Sequence, residues 1–101
     1  MSEKIYTIEE IREIAAPIAM EYGVAAMYLF GSYARGEATP ESDLDFRIDK
    51  GQVRNLLKFG GLLNELECSF QKKLDVLTTQ MVTPEFLASI RSEEVLIYAQ
   101  S

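Results

Sequence analysis

A chain of 101 residues is one small domain, expected to span 1–101, with room for a core but not for a second lobe. It has 48% apolar and 26% charged residues, which is globular usage, and 16 acidic against 10 basic residues leave a net charge of −6. That charge argues against extended nucleic-acid binding, which needs a basic stripe to neutralise phosphates. Histidine is absent and Cys68 is the single cysteine, so histidine triads, histidine metal sites and a disulfide framework are excluded. No apolar run approaches the roughly 18 residues of a membrane span. The opening MSEKIYTIEE is polar and acidic, unlike a targeting peptide, so a cytoplasmic location is the expectation.

Thr7 with Glu10 three residues on forms a capping box, and Ile8, Ile11, Ile14, Ala15, Ile18 and Ala19 follow helical spacing. A first helix therefore starts at Thr7 and ends at Gly23, with a bend expected near Pro17. Ala25 to Phe30 is short and apolar and reads as a buried strand. Residues 31–42, GSYARGEATPES, read as a loop with room for one helical turn. From Asp43 to Ile48 the chain alternates, with Asp43, Asp45 and Arg47 on one face and Leu44, Phe46 and Ile48 on the other, as in a half-buried strand. Val53, Leu56, Leu57, Leu63 and Leu66 predict a helix over 52–68, with Gly60 on its apolar stripe as a site of close packing. Leu74 to Thr78 is a third strand, and Thr83-Pro84-Glu85 opens another helix with a cap, a proline at the first position and an early acid. Val95 to Tyr98 closes the chain as an apolar turn or short strand.

The chemistry concentrates in FGSYARGEATPESDLDF, residues 30–46. Asp43 and Asp45 are two apart on a strand, so both carboxylates leave the same face and repel unless a cation lies between them. Without histidine or paired cysteines, the matching cation is hard and oxygen-loving, above all Mg2+. Gly31-Ser32 supplies the complement: glycine admits a phosphate close to the backbone, N–H groups in a tight turn cradle the anion, and the Ser32 hydroxyl adds a donor. Asp75 lies in an apolar strand, an expensive place for a lone carboxylate. If that strand lies beside the Asp43–Asp45 strand, Asp75 completes a three-carboxylate cluster suited to two-metal phosphoryl transfer.

This stretch resembles the minimal nucleotidyltransferase family, the smallest branch of the DNA polymerase beta-like nucleotidyltransferases. The family signature is met by Gly31-Ser32-Tyr33-Ala34-Arg35-Gly36, then Ser42-Asp43-Leu44-Asp45, and the third family acid matches Asp75. The resemblance implies an α+β nucleotidyltransferase fold, a short mixed sheet of three to four strands packed by helices on one face. It implies catalysis and metal binding by Asp43, Asp45 and Asp75, and nucleotide contacts by Gly31, Ser32, Arg35 and Ser42. It implies Mg2+-dependent transfer, with two ions, of AMP from ATP to a hydroxyl. The implied partner is a HEPN-type toxin, which the family member counters as an antitoxin by modifying a tyrosine, by binding, or both. Arg47 is a departure from the resemblance, since members of that family usually carry an apolar residue there.

Other readings compete at single positions. Arg47 shares the carboxylate face and is expected to pair with those acids when no cation is bound. Glu9-Glu10 and Glu93-Glu94 read as solvated faces, Cys68 as a half-buried thiol, and Tyr28 and Tyr33 as packing and loop residues, not acceptors. Two further functions stand beside transfer to a partner protein. One is transfer to a small hydroxylated molecule such as an aminoglycoside, whose enzymes carry an extra domain. The other is a non-catalytic antitoxin that neutralises its partner by binding alone.

Overall fold

The structure, a computed structural model, describes residues 4–100, so the first three residues of the polar N-terminal stretch lie outside it. Helix α1 (Ile8–Tyr22) starts at the Thr7–Glu10 capping box, runs on through Pro17 and stops at Gly23, whose left-handed φ of 75° ends the helix. The chain then enters β1 (Ala26–Phe30), makes a single turn, α2 (Ser32–Arg35), and returns as β2 (Leu44–Asp49). Helix α3 (Leu56–Phe70) leads to β3 (Leu74–Thr78), a 3-10 turn (Thr79–Met81), α4 (Pro84–Ile90) and β4 (Val95–Ala99).

The strands form one mixed sheet in the order β3-β2-β1-β4. β1 pairs antiparallel with both β2 and β4, while β2 and β3 run parallel. A parallel pair needs a crossover, and α3 is that crossover. The alternation expected for β2 holds: Leu44, Phe46 and Ile48 are buried toward α1 and α3, in one core with Ile11, Ala15, Met27, Leu29, Leu62, Leu66 and Phe70. The opposite face is largely open. There α4 covers part of it, with Phe86 meeting Phe30 edge-on at 5.8 Å.

Several expectations are corrected. Helix α3 starts at Leu56, where the Asn55 side chain accepts the Lys58 N–H at 2.8 Å, and Val53 is buried in the preceding loop instead. Leu56 and Leu57 are 87% and 88% exposed and lie off the buried stripe, which is Leu62, Leu66 and Phe70. The close approach falls to Gly61, where a Cβ would meet the Tyr22 hydroxyl at 3.2 Å, while Gly60 faces open space. Cys68 is exposed, between Leu66 and Phe70 in the chain but off the stripe they form.

Candidate active site

Register, more than sequence proximity, builds this site. Phe30 pairs with Asp45, so the two ends of the loop between β1 and β2 meet, and Gly31 stands directly beside the second acid of the Asp-x-Asp pair. Gly31 has φ +79°, a conformation that L side chains rarely adopt, and a Cβ there would strike the Asp45 carboxylate. Asp45 in turn pairs with Asp75 across the parallel β2–β3 ladder, so the two share one face, as the sequence reading required. The expected cost of Asp75 does not arise. β3 is an edge strand, and Asp75 is exposed on the open face. Asp43, just ahead of β2, is half-buried.

The electrostatics bear the mark of crowded like charges. The Asp45 carboxyl is pushed up to about 6, first by burial and then by the neighbouring charges of Asp75 and Asp43, with Arg35 opposing. Among the described residues, no three carboxylates converge closely enough to hold one ion as they are oriented here. The chemistry of the donors nonetheless fits a hard divalent cation: carboxylate oxygens only, carrying surplus negative charge that no bonded cation offsets.

The remaining predicted residues lie around these acids. The Ser32 hydroxyl is half-buried and has no hydrogen-bond partner among the described residues. Ser42 closes its own loop, its Oγ accepting the Thr39 N–H at 2.9 Å. Arg35 donates to Glu37 at 3.0 Å and to Glu93 at 3.2 Å. Tyr33 is buried in the core, as a packing residue should be.

Arg47 and the Glu93-Glu94 pair behave differently from expectation. Arg47 does not turn to Asp43 or Asp45. Its Nε donates to Glu94 at 2.6 Å, its Nη2 to the other Glu94 oxygen at 3.0 Å, and its Nη1 to Thr79 Oγ1 at 2.8 Å. The guanidinium also lies 4.2 Å from the centre of the Tyr28 ring. Tyr28 faces Arg47 on one side and Leu96 on the other, so Glu94, at the mouth of β4, reaches across β1 to Arg47. Glu93 is drawn into the site from the same turn, its Oε2 accepting the Gly31 N–H at 2.7 Å. No local pattern announces either contact, because both join segments distant in sequence. A depression of about 370 Å³, lined by Tyr28, Arg47, Arg91, Glu94 and Leu96, lies beside the Arg47–Glu94 pair.

Residues 9–101 match the family described as polymerase beta, nucleotidyltransferase. The chain belongs to that family. Among curated relatives, the protein adenylyltransferase MntA of Thermococcus cleftensis is 32% identical over 95 residues, covering 90% of this chain and 96% of its own. A Methanocaldococcus jannaschii protein, provisionally named a protein adenylyltransferase, is 38% identical over 88 residues, covering 87% of this chain and 95% of its own. Of solved structures, one described as a minimal nucleotidyltransferase superposes with a TM-score of 0.77 at 27% identity, over 89% of this chain and 95% of that one. A complex described as the tri-AMPylated HEPN toxin of Shewanella oneidensis with its MNT antitoxin superposes with a TM-score of 0.70 at 11% identity, over 93% of this chain and 74% of that one, a likeness of fold. This nucleotidyltransferase is thus an enzyme of the polymerase-beta type with the small α+β fold its signature implied. Among the described residues, no helix is long and apolar enough to cross a membrane.

Proposed function

We propose that this nucleotidyltransferase moves AMP from ATP to a tyrosine hydroxyl of a HEPN-type toxin and so serves as its antitoxin. The observation that carries the reading is the Gly31 backbone lying against Asp45, with Asp75 in register beside it on the open sheet face. A phosphate seated at Gly31-Ser32 would take backbone N–H groups and the Ser32 hydroxyl, which has no partner among the described residues, and Arg35, now paired with Glu37 and Glu93, would turn to it to neutralise charge. Asp43, Asp45 and Asp75 would hold Mg2+, which when bound offsets the triphosphate charge and polarises the phosphorus under attack. The acceptor oxygen bonds to the α-phosphorus, pyrophosphate leaves, and the hydroxyl proton passes to a carboxylate, for which exposed Asp75 is the best placed. The relatives named as protein adenylyltransferases support a protein acceptor.

Mass spectrometry of a co-encoded HEPN-type protein, after incubation with this enzyme, ATP and Mg2+, tests the proposal. A tyrosine heavier by one or more AMP groups is expected. A bound but unmodified partner would leave the antitoxin acting by binding alone. Efficient modification of a free sugar or aminoglycoside, with every co-encoded protein untouched, would replace the protein acceptor by a small one.

A further inference from the structure

Two groups assigned above to the incoming triphosphate already hold an anion. The Gly31 N–H donates to Glu93 Oε2 at 2.7 Å. Arg35 Nη1 donates to both oxygens of the same carboxylate, at 3.2 and 3.3 Å. The Glu93 side chain is only 20% exposed, so it is seated in the site and not waving above it. Its carboxylate presents to the backbone N–H and the guanidinium what a phosphate would present: two oxygens sharing a negative charge.

We infer that Glu93 is an internal stand-in for phosphate, which occupies the Gly31–Arg35 cradle of the free enzyme and must leave before a nucleoside triphosphate can enter. The inference rests on the nucleotide reading of that cradle. The turn that carries Glu93 is built for a local exchange. Its backbone is tied down, with the Glu93 and Glu94 N–H groups both donating to the Ile90 carbonyl at 3.0 Å. Glu94 is pinned by Arg47. The side chain of Glu93 can therefore swing out while the turn stays in place. Each binding event must displace this carboxylate, so the apparent affinity is lower than the intrinsic one by the fraction of time the cradle is free. The device favours ligands that bring more negative charge than one carboxylate, a triphosphate over a monophosphate.

The test is calorimetric titration of the whole protein with a non-hydrolysable ATP analogue and Mg2+, comparing wild type, Glu93→Gln and Glu93→Ala, with thermal melts confirming that each variant is folded. Both variants should bind about tenfold more tightly, since a neutral side chain competes poorly for Gly31 and Arg35. A wild type that binds alongside folded variants of equal or weaker affinity overturns the inference and makes Glu93 a structural cap or a nucleotide contact. Binding by none of the three overturns the nucleotide reading as well. An independent measurement needs no variant. In labelled wild-type protein, the Glu93 carboxyl carbon resonance should move toward its solvent value as the analogue saturates and the Gly31 amide shifts. A Glu93 resonance that stays fixed while Gly31 responds also overturns it.

Discussion

At Asp45 burial, and after it the charges of Asp75 and Asp43, hold an ionised carboxylate at a cost that shows in the pH dependence. A carboxyl raised from 3.8 to about 6 holds its proton more tightly in the fold than in the unfolded chain. Its contribution to stability is therefore complete below pH 3.8 and is lost as pH rises through about 6. At pH 7 the ionised group destabilises the fold, by roughly 1–3 kcal/mol after solvent screening. Asp45→Asn should abolish transfer yet raise the apo Tm at pH 7 by roughly 5–10 °C, with the gain vanishing near pH 4. Melts of both proteins across pH 4–7 check this, and an unstabilised variant would show that the acids are too far apart or too well solvated to repel. Neighbouring Gly31 and Ser32 separate structure from binding. Gly31→Val combines a left-handed φ with a Cβ against Asp45, and should cost roughly 3 kcal/mol in a urea titration as well as nucleotide binding. Ser32→Ala removes a hydroxyl with no internal partner, so stability should hold while triphosphate affinity falls about tenfold. Loss of stability in the serine variant would assign Ser32 to the loop and not to the ligand.

Among the elements, the joint between β2 and the turn before β4 rests on a buried ion pair. Arg47 is 7% exposed and its Glu94 partner is nearly as buried, so each is the other's main counter-charge. Removing one leaves the other short of its main counter-charge, Arg47 then keeping only Asp49, 3.5 Å from its Nη1, whereas replacing both by apolar groups removes two desolvation costs together. Glu94→Ala should cost about 3 kcal/mol, while the double variant Arg47→Leu, Glu94→Leu should lie within about 1 kcal/mol of wild type. Equal losses in both, measured by denaturant unfolding, would show that Arg47 is held mainly by Thr79 and the Tyr28 ring. The same joint marks where the sequence could be read and where it could not. The capping box at Thr7, the alternation of β2 and the Thr83-Pro84-Glu85 start of α4 are local rules, and each element formed where its rule placed it. The Asp45–Asp75 pairing followed once two strands were allowed to be neighbours. The partners of Arg47, Glu93 and Glu94 were illegible because they depend on β4 joining the edge of β1, a tertiary event that no local spacing records. The exposed Leu56 and Leu57 misled for a related reason: leucine at helical spacing signals burial only on the stripe that meets the sheet, and Asn55 set the start of α3 so that these two fall off it.

On the scale of the whole molecule, the open face decides how an acceptor is met. One side of the sheet is covered by α1 and α3, and the acids lie on the other, where α4 meets Phe30. A domain this small has little wall with which to enclose a substrate, yet in-line transfer needs the acceptor hydroxyl held close to the phosphate. That restraint must come from the acceptor molecule's own contacts with the surface around the site, such as the depression beside Arg91 and Leu96. Docking and chemistry should then separate cleanly. Asp43→Asn removes one carboxylate charge from the site without altering the surrounding surface, so on the proposed protein-acceptor reading it should retain the partner in co-purification while leaving the partner's tyrosine unmodified. The catalytic loss should be at least about 100-fold, the scale of a removed metal-binding or proton-accepting group. Reduced net negative charge at the site should speed docking of an acidic acceptor and slow that of a basic one, more so at low salt. Co-purification at two salt concentrations, with intact mass of the partner, reads both quantities at once. A variant that lost the partner along with the modification would mean that the acids themselves form the docking surface, and the separation argued from the open sheet face would fail.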